Sequence, residues 1–300
     1  MKEVSLVFGE KQEEYPDLSS LPSLESIHIL YKRELELKHL QVFMEENTDW
    51  FAPKLKSLTG RVRMTEEKLE DFFLLLSKCV NLESLTMRTV IKTKESAERI
   101  QAALRNSFKA LSNLKKLNLS EDNEHYSILS LLDPSSILNL RDLEISINSK
   151  NNGEVFFDGI VKLVPHLNDL TSLKIDFNGQ KMILAKDSIL RLFKLLTKFK
   201  KLESFGLKCN CKEPINIAEL HEIEYNLVQL TSLRVLSLDL FKGSSYAENF
   251  QTIILSNVEL LRRLKSISIN SFSSLNENIE LMMDDYAYQE MWEYGWESQL

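Results

Sequence analysis

Leu114-Lys-Lys-Leu117-Asn-Leu119 is the phrase that decides the fold, because versions of it recur along the chain. A typical version has apolar residues at its first, fourth and sixth positions. Nine copies begin at residues 24, 55, 82, 114, 140, 170, 202, 233 and 264, and the copy at 55 is degenerate because it ends in Gly60. The gaps run from 26 to 32 residues, with a mean of 30. A period kept over this length predicts one structural unit per copy.

Each phrase ends in apolar–polar–apolar alternation, which is the period of a strand with one buried face. The intervening stretches have helical spacing, as in Thr65–Lys78, where Leu69, Phe72, Phe73 and Leu76 share one face. Further helices are predicted over 96–111, 155–167, 187–199, 217–230 and 247–261. Because neither element can bury its apolar side alone, this order predicts an α/β solenoid with a parallel concave sheet and outer helices.

The phrases resemble leucine-rich repeats, and a period near 30 residues with a full helix is similar to the ribonuclease-inhibitor-like class. The resemblance covers residues 21–270 and implies about nine repeats, with an N-terminal cap at 1–20. Residues 271–300 are expected to form a C-terminal cap and an acidic-aromatic tail. Members of the family typically carry Asn or Cys three positions after the last strand leucine. Here only Asn148, Asn178 and Asn210 do so, which makes a regular curvature of the solenoid an open question.

Composition and net charge argue against two classes of protein, those that bind nucleic acid and those that span a membrane. The net charge of −7 gives no global positive field for a nucleic-acid backbone, and the longest apolar run is too short to cross a bilayer. The amino terminus lacks the apolar run of a signal peptide, so a cytoplasmic location is expected, with a nuclear one possible. Cys79, Cys209 and Cys211 are too few for a disulfide framework, which agrees with that expectation.

The sequence gives no catalytic, cofactor or metal site. It has no glycine-rich phosphate loop, nucleophile elbow or H-E-x-x-H pair. The Cys209-Asn-Cys211 pair has no histidine at a metal-ligand spacing beside it, and His125 has acidic neighbours but no nucleophile. We therefore expect a protein that is not an enzyme and needs no cofactor.

Strand alternation predicts which side chains face the solvent, namely those two, four and six positions after each first leucine. None of these 27 residues is Trp, Tyr or Phe. A group of basic residues lies on this face and on the adjoining row, and we name it the basic strip: Lys56, Arg61, Arg88, Lys115, Lys116 and Arg141. Two interpretations stay open, a solvated sheet face and a docking strip for an acidic or phosphate-bearing segment.

The segment 284–300 combines acidic residues with five aromatic ones. As a cap, it would cover the apolar end of the ninth repeat. As an anchor, it would insert Trp292, Tyr294 and Trp296 into a groove of a partner, since aromatic residues bring a large contact area at a small rotamer cost. Both interpretations remain open at this stage.

The function predicted from these observations is a non-enzymatic protein–protein interaction scaffold, or a subunit of a larger intracellular assembly. One alternative is a ribonuclease-inhibitor-like regulator that occludes an enzyme, although the outward strand face lacks aromatic residues. Another is a substrate adaptor, although few residues precede the first repeat. The expected partners are proteins, with no membrane and no nucleic acid.

Overall fold

The computed structural model describes residues 2–8, 23–31, 52–64, 66–89, 91, 93–121, 127–147, 153–177, 183–211, 215–242, 252–254, 256–257, 260, 262–272 and 278–282. The chain divides into two compact units. The first consists of residues 1–170 and 175–183, and the second of residues 171–174 and 184–300.

Strands follow one another at the predicted period. They are β1 (Glu3–Phe8), β2 (Ser26–Tyr31), β3 (Ser57–Met64), β4 (Ser84–Thr89), β5 (Lys116–Glu121), β6 (Asp142–Ile147), β7 (Ser172–Phe177), β8 (Ile183–Leu184), β9 (Ser204–Lys208), β10 (Asn210–Cys211), β11 (Val235–Lys242), β12 (Ser266–Phe272) and β13 (Asn278–Met282). Among the described residues the main sheet has the order β1-β2-β3-β4-β5-β6-β7-β9-β11-β12-β13, and β8 pairs with β10 separately. Ten strands of the main sheet run parallel, and β13 returns antiparallel to β12. The α/β leucine-rich-repeat fold is therefore confirmed, with every one of the nine phrases supplying a strand.

The tenth parallel strand is β1, which lies within the segment predicted to be an N-terminal cap. It pairs with β2 in register, Val4 beside Ile27 and Leu6 beside Ile29. By this register the strand belongs to a further copy of the phrase, Met1-Lys-Glu-Val4-Ser-Leu6. The copy was missed because Met replaces the first leucine and Val the second.

Helices lie between the strands from β3 to β11. They are α1 (Glu66–Leu76), α2 (Lys94–Ala110), α3 (Ile128–Leu131), α4 (Gly153–Leu163), α5 (Lys186–Leu196) and α6 (Ile217–Val228). The predicted boundaries agree to within a few residues, except that the last turn predicted for α4 is the 3-10 turn Val164–His166. In the described part of the gap of 26 residues after Leu114, the helical elements are the single turn of α3 and a 3-10 turn at Pro134–Ser136. The helix predicted over 247–261 lies largely outside the described residues.

The core forms where the inward strand residues meet the helices. Leu117, Leu143, Leu173 and Leu236, which the register predicted to be buried, have exposed fractions of 2% or less. In the second unit the ring of Phe193 on α5 lies edge-on to Phe205 on β9, with centroids 5.8 Å apart. Burial of these large side chains on both elements fixes which face of each strand is left for solvent.

Candidate interaction surface

The outward face of the sheet carries the residues that alternation predicted. In β4, for example, Leu85 and Met87 are buried, whereas Ser84, Thr86 and Arg88 are half-buried. None of the outward side chains that the structure describes along these strands is aromatic. The face is therefore polar and built largely of short side chains.

Charges on this face are paired where the positive and negative repeats meet. The Lys116 Nζ of β5 lies 2.9 Å from Asp142 Oδ2 of β6. Two residues further along the same strands, Asn118 Nδ2 donates to Glu144 Oε2 at 2.7 Å. The acidic side chains of β6 thus already have partners on β5.

A second line of charges lies one position after each first leucine, and we name it the edge row: Lys2, Glu25, Lys56, Glu83, Lys115 and Arg141. From Glu25 onward, each backbone N–H of this row donates to the carbonyl of the residue one repeat earlier, for example Lys115 N to Glu83 O at 2.8 Å. From Lys2 to Lys115 the side chains alternate in sign, and neighbours pair between repeats. Glu25 Oε1 lies 3.8 Å from Lys2 Nζ and 3.2 Å from Lys56 Nζ. Lys115 Nζ donates to Glu83 Oε2 at 2.7 Å.

Glu83 is the member of the edge row whose pKa is shifted by its partners. The hydrogen bond from Lys115 lowers the pKa of Glu83, and the positive charges of Lys115 and Lys56 lower it further against the opposing effect of desolvation. Glu83 is therefore held as a carboxylate between two ammonium groups. Ion pairs in the row join Glu25 to Lys2 and Lys56, and Glu83 to Lys115.

The basic strip consequently lies on two separate rows. Lys56, Lys115 and Arg141 belong to the edge row, whereas Arg88 and Lys116 lie on the outward face. Arg61 lies in β3, and its side chain is outside what the structure describes. Lys56, Lys115 and Lys116 form ion pairs within the protein, so part of their charge is balanced locally. Whether the strip binds an acidic partner stays a prediction.

A row of side-chain amides, which the sequence analysis missed, lies just before the first leucines. Asn81 Nδ2 donates to Pro53 O at 2.6 Å, Asn113 Nδ2 to Val80 O at 3.2 Å, and Asn139 Nδ2 to Ser112 O at 2.7 Å. In each case the acceptor lies two positions before the preceding first leucine. We name these three residues the amide row. The available signal was Asn directly before Leu in three consecutive phrases.

A groove of about 410 Å³ runs between the amide row and the edge row at the amino ends of β2 to β5. Its lining residues are Ser23, Leu24, Glu25, Pro53, Lys54, Lys56, Asn81, Glu83 and Asn113. We name it the edge groove. All of its lining belongs to the first unit, and it crosses four consecutive repeats.

The second predicted binding element lies outside the described residues. Trp292, Tyr294 and Trp296 belong to the segment 283–300, which the structure does not describe. Among the described residues, β13 is the last strand of the main sheet. The choice between cap and anchor for the tail stays open.

The described residues provide no metal centre, since they contain no cluster of three His, Cys, Asp or Glu side chains able to hold an ion. Cys79 is fully buried, and burial raises the pKa of its thiol to about 12. Cys209 is also buried. In the part of the chain that is described, no helix has the length and apolar character needed to span a membrane.

Comparisons with known proteins add structural neighbours. No family model matches the sequence, and no curated protein matches it. Among solved structures, it is similar to the tropomodulin C-terminal domain of Caenorhabditis elegans, at 14% identity over 66% of this chain and 96% of that one, with a TM-score of 0.32. It is also similar to TLR13 in a complex with ssRNA13, at 17% identity over 91% of this chain and 42% of that one, with a TM-score of 0.33. A sugar phosphate isomerase/epimerase from Parabacteroides distasonis matches at 11% identity over 70% of this chain and 87% of that one, with a TM-score of 0.24.

Proposed function

We propose that this protein is a non-enzymatic interaction scaffold, or a subunit of a larger intracellular assembly. The observation that carries the proposal is the outward face of the parallel sheet, where polar side chains from successive repeats lie side by side on hydrogen-bonded strands. Such a surface presents many weak contacts at fixed spacing, which suits an extended protein partner. The proposal includes a cytoplasmic or nuclear location.

Within this role we propose that the basic strip receives an acidic segment of a partner. Arg88 and Lys116 supply positive charge on the outward face, next to hydroxyl groups such as those of Ser84 and Thr86. Because Lys116 is already paired with Asp142, an acidic partner has to compete with that ion pair. The binding is therefore expected to depend more on long-range attraction than on a single strong contact.

The test is affinity purification of the full chain followed by mass spectrometry and by binding kinetics with each recovered partner. Replacing Arg61 and Arg88 by Glu should lower the association rate, and added salt should lower the rate for the original chain, because the Debye length is about 10 Å at 0.1 M salt. The matched control reverses Arg105 and Lys109, which are exposed on α2. Partners that bind the Arg61 and Arg88 variant and the original chain equally well would exclude the basic strip as their site.

We further propose that Trp292, Tyr294 and Trp296 act as an anchor rather than as a cap. Trp and Tyr are the residue types in which binding energy concentrates at interfaces. Deleting residues 290–300 should then reduce partner binding while the melting temperature stays unchanged. A large fall in melting temperature with binding retained would contradict the anchor and favour the cap.

A further inference from the structure

The strands of the second unit carry a dense group of basic residues at their amino ends. The turns that lead into β9, β11 and β12, over residues 197–203, 229–234 and 260–265, contain seven bases and one acid, on a chain whose net charge is −7. All of these bases belong to the second unit, whereas the basic strip belongs to the first. We name them the basic edge: Lys198, Lys200, Lys201, Arg234, Arg262, Arg263 and Lys265.

The register of the strands brings these bases together. β9, β11 and β12 are parallel neighbours, so the turns before them lie along one edge of the sheet. Arg234 N donates to Glu203 O at 2.7 Å, and Lys265 N donates to Arg234 O at 2.6 Å. Glu203, Arg234 and Lys265 therefore occupy equivalent positions on strands that are about 4.8 Å apart. One ligand lying along this edge can contact several of the bases.

The basic edge is balanced by fewer acids than the edge row of the first unit. In the first unit, Glu25 and Glu83 alternate with lysines of the edge row and pair with them. The three turns of the basic edge contain one acid, Glu203, at the corresponding position. The ion pairs that the structure describes in the second unit lie on its helices instead. Positive charge is therefore in excess along the basic edge.

The guanidinium group of Arg234 is held through one of its nitrogens. Arg234 Nη1 lies 3.1 Å from Leu233 O and 3.5 Å from both Thr231 O and Arg263 O. These carbonyls belong to the turns before β11 and β12, and they leave Nε and Nη2 without a partner among the described residues. A planar pair of N–H donors matches the two oxygens of a carboxylate. Arg234 thus offers a preorganised place for one oxyanion.

A second arginine is fixed in the next turn. Arg263 Nη2 donates to Val228 O at the end of α6, at 2.8 Å, and the buried Nε of Arg263 has no hydrogen-bond partner in the part of the chain that the structure describes. Both arginines are half-buried, whereas Lys200, Arg262 and Lys265 are exposed. The basic edge therefore combines two fixed guanidinium groups with exposed bases that can adapt to a ligand.

The outward face beside Arg234 carries an exposed apolar side chain. Val235 is 38% exposed, and its partners in register are Ser204 on β9 and Ser266 on β12. Protein interfaces combine apolar contacts with arginine-mediated polar ones. The surface around Arg234 therefore fits a protein segment that has both acidic and apolar residues.

The chemistry of the basic edge favours such a segment over other anionic partners. Phe199, the aromatic residue of the three turns, is 3% exposed and offers no surface on which a nucleic-acid base could stack. A chain of negative net charge repels a long polyanion, whereas a short segment stays within the range of about 10 Å over which local charges act. Insertion into a membrane needs a larger apolar face than Val235 provides.

We infer that the basic edge binds an acidic segment of a partner protein, with one carboxylate on Nε and Nη2 of Arg234 and further carboxylates on Lys200, Arg262 and Lys265. Lys200 and Arg262 lie at equivalent positions two strands apart, about 10 Å, which an extended segment of four residues spans. The inference rests on the proposed interaction function, to which it adds a second site for acidic segments. Because the basic strip belongs to the other unit, the two sites can be disabled separately.

The experiment titrates the full chain against a fluorescent octapeptide in which glutamates alternate with serines and valines, and anisotropy reports binding. We expect saturable binding that weakens as salt is added, because exposed charges are screened. Arg262→Gln together with Lys265→Gln should weaken it about tenfold, since charged hydrogen bonds are lost. The matched control combines Arg105→Gln with Lys109→Gln on α2, which removes the same charges from an exposed surface of the first unit and should leave binding unchanged.

A further variant tests the geometry of Arg234. Arg234→Lys keeps the charge but loses the planar pair of donors, so binding should weaken about threefold or more while its dependence on salt is retained. A melting curve equal to that of the original chain shows that the variant is folded. If Arg234→Lys lowers the melting temperature, the exposed pair Arg262 and Lys265 still provides the test.

The inference is overturned if the glutamate peptide does not bind saturably, or if a peptide with glutamine in place of glutamate binds equally well. An equal loss with the Arg105 and Lys109 control would also overturn it. So would tighter binding of a fluorescent uridine oligonucleotide, or of phosphatidylserine vesicles, that depends on Arg262 and Lys265, since the occupant would then not be a protein.

One more result separates this inference from the proposed function. Loss of peptide binding with Arg61→Glu and Arg88→Glu, but not with Arg262→Gln and Lys265→Gln, would place the peptide on the basic strip. That outcome would overturn the basic edge as a binding site and leave the proposed function standing.

Discussion

At the scale of single residues, Gly159 shows how closely α4 packs against α3. A Cβ at this position would lie 3.0 Å from the backbone nitrogen of Ser130 and 3.1 Å from Leu129 Cβ. Alanine gains about 1 kcal/mol of helix propensity over glycine, but overpacking costs about 1–3 kcal/mol. Because the nearest atom is backbone and cannot rotate away, the steric cost should win. We expect Gly159→Ala to lower the free energy of unfolding by about 1 kcal/mol in urea titrations.

Gly206 in β9 provides the control for that substitution. A Cβ there would lie 3.3 Å from Lys174 Cγ, which belongs to an exposed and flexible side chain. Glycine also weakens a strand interior. Gly206→Ala should therefore leave stability unchanged or raise it slightly. Equal destabilisation by the two alanines would show that the contact of Gly159 with α3 is not the cause.

The pair of Glu83 and Lys115 makes a pH-dependent contribution. Its hydrogen bond lowers the pKa of Glu83, so the stabilisation is present above the ordinary pKa of a glutamate and is lost as pH falls through the lowered value. The side chains are 41% and 45% exposed, and pairs in such solvent contact contribute about 0.2–1 kcal/mol. We expect a double-mutant cycle of Glu83→Gln and Lys115→Met to give a coupling energy in this range at pH 7 and a smaller one as the pH is lowered toward 3. Urea unfolding at both pH values measures it.

A coupling energy that does not fall at all between pH 7 and pH 3 would contradict this assignment, since the ion pair weakens as Glu83 becomes protonated. High salt at pH 7 is the independent check. It should reduce the coupling, because exposed charges are screened.

At the scale of secondary-structure elements, α6 begins with two reciprocal hydrogen bonds. Asn216 Oδ1 accepts from Glu219 N at 2.9 Å, and Asn216 N donates to Glu219 Oε2 at 2.8 Å. Glu219 Oε1 also accepts from Lys186 Nζ of α5 at 2.8 Å. Asn216→Ala should cost about 1 kcal/mol in the free energy of unfolding, because one helix N–H loses its partner.

Asn216→Ser is the matched variant for this prediction, since serine is nearly as good an N-cap and should retain most of the stability. Hydrogen exchange followed by mass spectrometry can locate the effect. Faster exchange should be confined to the first turn of α6. A loss that is equal for alanine and serine would show that the side-chain cap does not stabilise the helix.

The strands and helices could be predicted from the sequence because of the regular spacing of particular residues. Leu117, Leu143 and Leu173 recur at a fixed period, and a period of two within each phrase defines the buried face without knowledge of the neighbours. β1 was not predicted from the sequence, because Met1 and Val4 occupy the positions where the typical phrase has leucine. α3 is a single turn and lies in the shortest gap, which has 26 residues. The sequence of this gap does not show which part of a longer helix is missing.

The edge groove was less predictable, because its geometry depends on contacts between repeats. The amide of Asn113 reaches a carbonyl 33 residues earlier, and that of Asn81 one 28 residues earlier. In the sequence, an asparagine before a strand indicates only a turn. The basic residues of the strip were identified by type, but the pairing of Lys56 with Glu25 and of Lys116 with Asp142 required the register of the strands.

At the scale of the whole molecule, a repeat architecture implies that each repeat is stabilised mainly by its contacts with the adjacent repeats, and not by one core that the whole chain shares. Leu117 of β5 is buried between β4 and β6 of the first unit, and Leu236 of β11 is buried between β9 and β12 of the second. Replacing either by Ala removes apolar contacts and leaves a cavity at a cost of about 2–5 kcal/mol. In a solenoid this loss should be felt first by the adjacent repeats.

We therefore expect Leu117→Ala to accelerate amide exchange most in β4, β5 and β6, with a smaller change in β3 and little change in β1. Leu236→Ala is the matched variant and should accelerate exchange most in β9, β11 and β12. Hydrogen exchange followed by mass spectrometry under native conditions measures both patterns on the same peptides. Because repeats of a solenoid are stabilised by their neighbours, each variant should accelerate exchange most in its own strand and the adjacent ones. The two variants should therefore show the same fall-off with distance at different places in the chain. A uniform acceleration along the whole chain for both variants would mean all-or-none unfolding and would contradict nearest-neighbour coupling.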